Sequence, residues 1–297
     1  MDKFSPLPPG GEGPGVRGLR PENGEFADSD CGLLTLDCQL LSMTLPHAAL
    51  LFVAAGLAGL MNSVAGGGSF ISFPALIFTR VLPIPANATS TVALWPGTVA
   101  SVGAYRKRFP KDFRILVEMI ATSLTGGTLG ALVLLRTPQN TFMRFVPYLF
   151  LLATLLLIFG KNLSTWMETT FRTSKQPRWL IVVGTNFFQF LIALYGGFFG
   201  AGIGIMMLAL LTMLRMEDIH AMNALKTLLN AAINGAAVIT FIAAGAVLWP
   251  QALVMLLGAV LGGYGGAHYA QKLDPQIVRR FVIAVGICMS AYFFLRR

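Results

Sequence analysis

Within an otherwise apolar stretch, Asn223, Lys226, Asn230 and Asn234 recur at steps of three, four and four. That spacing puts all four on one face of a helix. Polar side chains in a lipid-spanning helix face the bundle interior, where an ammonium group can neutralise an anionic solute. The competing role for Lys226 is snorkelling to the interface, because a helix starting near Asp218 places it only ~12 Å along the axis. Glu217 and Asp218 read more simply as acids complementing the helix N-terminus.

A second signal is a pair of glycine-rich interruptions. Asn62, Ser63, Gly66, Gly67, Gly68 and Ser69 stand in the middle of a run that is apolar from Leu45 to Leu82. As one continuous helix this run would be about 57 Å long, nearly twice a bilayer core of roughly 30 Å. A break at that depth survives only where protein, water or a solute satisfies the exposed backbone groups. Three glycines let the chain turn without a Cβ, and the helix beginning near Ser69 then aims free N–H groups into the gap. Gly200, Gly202 and Gly204 offer the same device later in the chain. Matched breaks of this kind point to a transporter's solute site, and an anion is the natural guest. The structural alternative is that the glycines only permit close helix packing.

The segment after the first break carries Asn87, Thr89, Ser90 and Thr91, with Pro96 further on and no lysine. A site built from both segments is therefore asymmetric. Hydroxyls such as that of Thr91 also bond to their own helix backbone. Glu118 is expected near the interface, and Pro74 and Pro85 are expected to end or start helices.

Other chemistries are not encoded. His47, His220 and His268 are the only histidines, and no H-E-x-x-H, G-x-S-x-G or G-x-x-x-x-G-K-[ST] pattern occurs, which argues against an intramembrane enzyme and against direct ATP coupling. Cys31, Cys38 and Cys288 suggest neither a disulfide frame nor a metal cluster. No cofactor or metal is implied.

The elements that position these residues follow from composition. The chain of 297 residues is 55% hydrophobic and 12% charged, too apolar to hide its side chains in one water-soluble core. Membrane-length stretches are read at 45–61, 85–105, 113–135, 145–160, 179–198, 219–244, 250–270 and 281–295. Shorter pieces at 70–82 and 203–214 follow the first and fifth. Residues 1–42 form a Gly/Pro-rich tail that can bury nothing and is expected to be disordered, with the functional chain expected to begin near Met43. The formal charge of +9 sits in loops, so it reports membrane orientation rather than nucleic-acid binding. Arg106, Lys107, Arg108, Lys111 and Arg114 mark one cytoplasmic loop, and Lys161, Arg172, Lys175 and Arg178 another.

The chain also repeats itself at an offset of about 134 to 137 residues. The break at Ala65–Phe70 corresponds to that at Phe199–Gly204, the glycines following Gly126 to those following Gly262, and the segment from Pro138 to that from Pro275. If each broken element is one crossing, the halves are parallel and loop Lys and Arg divide 11 inside to 7 outside. If each turns back, the halves are inverted and the division is 13 to 5. The positive-inside tendency mildly favours inversion.

The stretches "AGLMNSVAGGGSFISFPALIF" and "VLPIPANATSTVALWPGTVASVGAYRKR", with "GGFFGAGIGIMMLALL" and "MEDIHAMNALKTLLNAAIN", resemble the sulfite exporter TauE/SafE family. The resemblance covers roughly 45–296. It implies an inner-membrane permease for sulfite, sulfoacetate or related organosulfur anions, with the family's glycine motif on Gly66 to Gly68, its Pro-bearing continuation on Pro74 and its Ala-x-x-Thr-Ser pattern on Ala86, Thr89 and Ser90. The expected architecture is an all-α polytopic membrane protein of two homologous halves, with eight principal transmembrane helices and two short glycine-broken segments. The divisions are a tail at 1–42, repeats at 43–162 and 179–297, and a cytoplasmic linker at 163–178. Expected partners are a small anionic solute and the lipid bilayer, with a homo-oligomer left open and no nucleic acid.

Overall fold

Helix is the only regular structure among the described residues of the computed structural model, which are 43–64, 67–104, 113–172, 178–214, 216, 218–269 and 275–295. The tail at 1–42, Gly66, Glu217 and the side chain of Ser63 lie outside them. Ten helices follow one another: α1 (Leu45–Val64), α2 (Ser69–Phe78), α3 (Pro83–Ala104), α4 (Phe113–Arg136), α5 (Gln139–Arg172), α6 (Arg178–Phe198), α7 (Ile203–Met213), α8 (Ile219–Ala243), α9 (Trp249–Tyr269) and α10 (Pro275–Leu295). Eight have 20 residues or more, while α2 and α7 have 10 and 11. Five of the long ones, α1, α4, α5, α6 and α8, are both long and apolar enough to cross a membrane. Their outward faces carry large apolar side chains, as at Ile239 (69% exposed) and Val183 (58%), which suits contact with lipid. The chain is a multi-pass membrane protein.

Local chemistry sets the ends. Asp218 is the N-cap of α8, its carboxylate accepting the His220 N–H at 2.8 Å, the role expected of that acid. Pro83 and Pro85 fall in the first turn of α3, where a missing N–H is harmless. Pro74 departs from expectation, for it lies inside α2. Pro74 is the sixth residue of this short helix, so it removes the one N–H that would have met the Phe70 carbonyl, while Ser72 donates its hydroxyl to the Gly68 carbonyl at 3.1 Å. Helix α5 runs on to Arg172, into the stretch read as linker. Its polar end lacks hydrophobicity but retains a helical sequence.

Contacts between helix ends fix the direction of each. One cavity is walled by the start of α1, the end of α2, the start of α3 and the start of α9. Gln139 at the start of α5 accepts the Ile84 N–H at 3.0 Å, so α3 and α5 begin together. We call this the Arg80 end. Towards the opposite, Arg114 end, Arg279 near the start of α10 donates to the Leu157 carbonyl, past the midpoint of α5, at 2.7 Å. Helix α2 thus returns towards the end from which α1 departs. In the same way α7 returns towards the start of α6, since the short connection after Met213 leads into α8 at the Arg114 end.

The closest helix pairs are α1 with α9 and α4 with α6. Small residues make them possible. A Cβ on Gly262 would strike the Gly56 carbonyl oxygen, and one on Gly126 would come within 2.9 Å of the Phe190 carbonyl oxygen. Packing is therefore the role of those glycines, as their sequence context suggests. Helices α3 and α8 cross where the Trp95 indole donates to the Ala231 carbonyl at 3.0 Å and lies against Gly235. Between the two broken elements sits an aromatic cluster. Phe73 of α2 meets Phe199 edge-on at 5.9 Å, and both contact Phe150 of α5.

Candidate functional site

The polar face of α8 turns towards the start of α7. Lys226 is half-buried and donates to Asn223 Oδ1 at 3.0 Å. Asn234 donates to Asn230 Oδ1 at 2.8 Å. A Cβ on Gly204 would lie 3.6 Å from Lys226 Cδ, and one on Gly200 3.8 Å from Asn234 Oδ1. Lys226 and Asn234 therefore flank the second break. An ammonium group has three donors and Lys226 commits one of them. No carboxylate pairs with it among the described residues, whose ion pair is Arg114–Glu118.

The break itself is a left-handed double turn. Gly200 and Gly202 have φ of 80 and 78, a conformation glycine adopts without steric penalty. The Phe199 and Gly200 N–H groups both reach back to the Tyr195 carbonyl. The Tyr195 hydroxyl donates to the Ala201 carbonyl at 2.8 Å and so pins the turn. The N–H groups of Ala201, Gly202, Ile203 and Gly204 have no acceptor among the described residues. Unpaired N–H groups at a helix N-terminus concentrate positive potential, here beside a lysine.

The first break differs in kind. Gly68 is helical, with φ −58 and ψ −35, and Gly67 is not among the glycines with positive φ. Among its described residues, then, the first break has no left-handed turn of the kind at Gly200 and Gly202. What the glycines provide is close approach: a Cβ on Gly67 would come within 2.8 Å of Val282, and one on Gly68 within 2.7 Å of the Ala58 carbonyl oxygen. Asn62 accepts the Gly68 N–H at 3.2 Å, so part of the break is satisfied by the protein's own side chain. Ser69 is half-buried at the start of α2.

The remaining first-half residues are engaged with protein. Asn87 donates to the Phe198 carbonyl at the end of α6, at 3.2 Å. Thr89 accepts the Leu248 N–H at 3.0 Å, towards the Arg80 end and away from both breaks. Ser90 shares a 2.6 Å hydrogen bond with Ser72. Thr91 donates to the Asn87 carbonyl at 2.8 Å, as Thr227 does to that of Asn223 at 2.7 Å. The segments Asn87–Thr91 and Asn223–Thr227 thus carry the same back-bond, with Ser90 standing where the other has Lys226. Glu118 binds Arg114 at 3.0 Å and Asn186 at 3.5 Å near the Arg114 end. Tyr195 and Ser72 were not singled out by sequence, because an isolated hydroxyl in an apolar run gives no hint of its acceptor.

The family described as Sulfite exporter TauE/SafE matches residues 51–293, a range that includes both breaks and the Lys226 face. The chain belongs to this family. Among curated relatives of this TauE/SafE member is the "Probable membrane transporter protein ORF9" of Sinorhizobium sp, 30% identical over 243 residues, which are 82% of this chain and 90% of the relative. A "Probable membrane transporter protein" of Haemophilus influenzae is 28% identical over 82% of this chain and 92% of the relative. "Probable membrane transporter protein YfcA" of Escherichia coli K12 is 27% identical over 81% and 87%. No solved structure matches. This TauE/SafE protein is a membrane transporter, not an enzyme.

Proposed function

We propose that the chain is a secondary transporter that moves a small anion, sulfite or an organosulfonate, out across the cell inner membrane. The observation that carries this reading is Lys226, without an acid partner among the described residues, beside the unpaired N–H groups that begin α7. Asn223, Asn230 and Asn234 extend the polar face along which an anion would be held. The sulfur chemistry rests on the family description alone.

In this reading the chain is two inverted halves, 43–162 and 179–297, each supplying four spans and one short returning helix. Several pairings support it: α1 with α9 answers α4 with α6, α3 with α9 answers α4 with α8, and α2 with α10 answers α5 with α7. Inversion also gives the 13 to 5 division of loop cations, so the Arg114 end would be cytoplasmic. The third long helix of each half, α4 or α9, packs on the other half. Alternating access would then move α1, α2, α3 and α9 against α4, α6, α7 and α8, rather than one sequence half against the other.

The test is solute flux into proteoliposomes that contain the purified full chain. Saturable flux of sulfite or ethanesulfonate is expected, cut at least tenfold by Lys226→Met and less by Lys226→Arg. Absence of saturable flux for every sulfur oxyanion, or undiminished flux in Lys226→Met, would overturn the proposal.

A further inference from the structure

At the Arg80 end, remote from Lys226, a cavity of about 270 Å³ is walled by His47 and Leu51 of α1, Thr79 and Arg80 at the end of α2, Pro85 of α3 and Gln251 of α9. None of these belongs to the site above. The volume is below the roughly 300–1,000 Å³ of drug-sized ligand pockets, which suits a solute of few heavy atoms.

Arg80 is held there in an unusual way. Helix α2 ends in a Schellman motif, with the Val81 N–H donating to the Leu76 carbonyl and the Arg80 N–H to that of Ile77, and Arg80 takes φ 65. Helix α8 ends in the same motif, where the Ala246 N–H reaches the Phe241 carbonyl, the Gly245 N–H that of Ile242, and Gly245 takes φ 64. This position ordinarily belongs to glycine, because any L side chain there is strained. The protein uses glycine in one copy and keeps an arginine in the other. Folding alone does not ask for that guanidinium, and no carboxylate pairs with it among the described residues.

Gln251 supplies an independent mark. It is only 8% exposed, and its Oε1 is buried without a hydrogen-bond partner. Buried polar atoms are nearly always paired, and Gln251 lines the cavity, so a rotation of its side-chain amide would turn the orphaned acceptor to meet a donor that enters there. Among the described residues the wall holds two donor-bearing basic side chains, His47 and Arg80, and no acid.

We propose that this cavity is a second binding site, for a small oxyanion that carries its own hydroxyl or amino donor. Its oxygens are taken by Arg80 and His47, and its donor by Gln251. The site stands apart from the one at Lys226, and binding to the resting protein reads it whether or not flux is found.

The probes are 2-hydroxyethanesulfonate and ethanesulfonate, which share a sulfonate and differ in the hydroxyl, titrated calorimetrically in phospholipid-free maltoside against the full chain carrying Lys226→Met, which silences the other site. The hydroxylated anion should bind at least fivefold tighter. Arg80→Gly preserves the backbone that Gly245 already shows to be favourable, so it should leave the melting temperature unchanged or raised while weakening both anions about ten- to a hundredfold. Gln251→Leu should abolish the preference between them. Equal binding of the two probes, or unaltered binding in Arg80→Gly, would overturn the assignment. So would binding that disappears in phosphatidylglycerol nanodiscs, which would give the cavity to a lipid headgroup instead.

Discussion

The side-chain amide of Asn87 on α3 donates to the backbone carbonyl of Phe198, 3.2 Å away at the end of α6. A helix that follows the first break thus closes the carbonyl end of the second. Asn87 is 3% exposed, so no water stands in for this bond if the amide is removed.

Asn87→Leu should therefore destabilise the protein by about 1–3 kcal/mol, the penalty of leaving a buried carbonyl unpaired. Thermal unfolding in detergent reads this as a lowered melting temperature. An unchanged melting temperature with lost flux would instead make Asn87 a group that touches the solute.

The two breaks predict different responses to alanine. Gly202 is left-handed with space beside it, Ala153 being 3.4 Å from a built Cβ, so Gly202→Ala should cost about 1–2 kcal/mol from backbone strain alone. Gly68→Ala meets the Ala58 carbonyl oxygen, which a helix backbone cannot withdraw, and should prevent close docking of α2 on α1. Gly97, inside α3 with nothing within 4 Å of a built Cβ, is the control. There alanine should stabilise by about 0.5–1 kcal/mol. Melting temperatures should fall from Gly97→Ala, alone above the parent, through Gly202→Ala to Gly68→Ala, the lowest.

Hydropathy made the helices legible to within a few residues, because a membrane-length apolar run has few other fates. Where helix extends beyond the apolar part, as in α5 past Gly160, that signal stops early. The existence of both breaks was legible from glycine clustering, but their conformations were not: glycine serves a left-handed turn at Gly200 and Gly202, and tight packing at Gly67 and Gly68. Polarity marked Asn87, Thr89 and Ser90 as inward-facing, yet nothing in the types or spacing revealed that backbone groups and Ser72 would engage them. Arg80 escaped notice because loop cations read as orientation, and a positive φ is invisible in sequence when the residue is not glycine.

Inversion of the halves predicts that Leu45, at the start of α1, and Trp179, at the start of α6, face opposite sides of the membrane. Both are well exposed, at 85% and 66%. In a background with every native cysteine replaced, including the exposed Cys288, Leu45→Cys should react with an impermeant maleimide from outside intact cells. Trp179→Cys should react only after permeabilisation. Labelling of both from the same side would require parallel halves.

The contact between Gly204 and Lys226 allows a charge test that spares the fold. A Cβ on Gly204 stands 3.6 Å from Lys226 Cδ, an ordinary van der Waals distance, so Gly204→Ala should leave both flux and melting temperature unaltered. Gly204→Glu adds a carboxylate in the first turn of α7, a favourable place for an acid beside the helix N-terminus, and within reach of the ammonium. The new ion pair would occupy the donors that an anion needs. Flux of sulfite or ethanesulfonate in proteoliposomes should then fall at least tenfold while the melting temperature holds or rises. If Gly204→Glu transports as well as the parent, Lys226 does not meet the solute, and the positive end of α7 is structural.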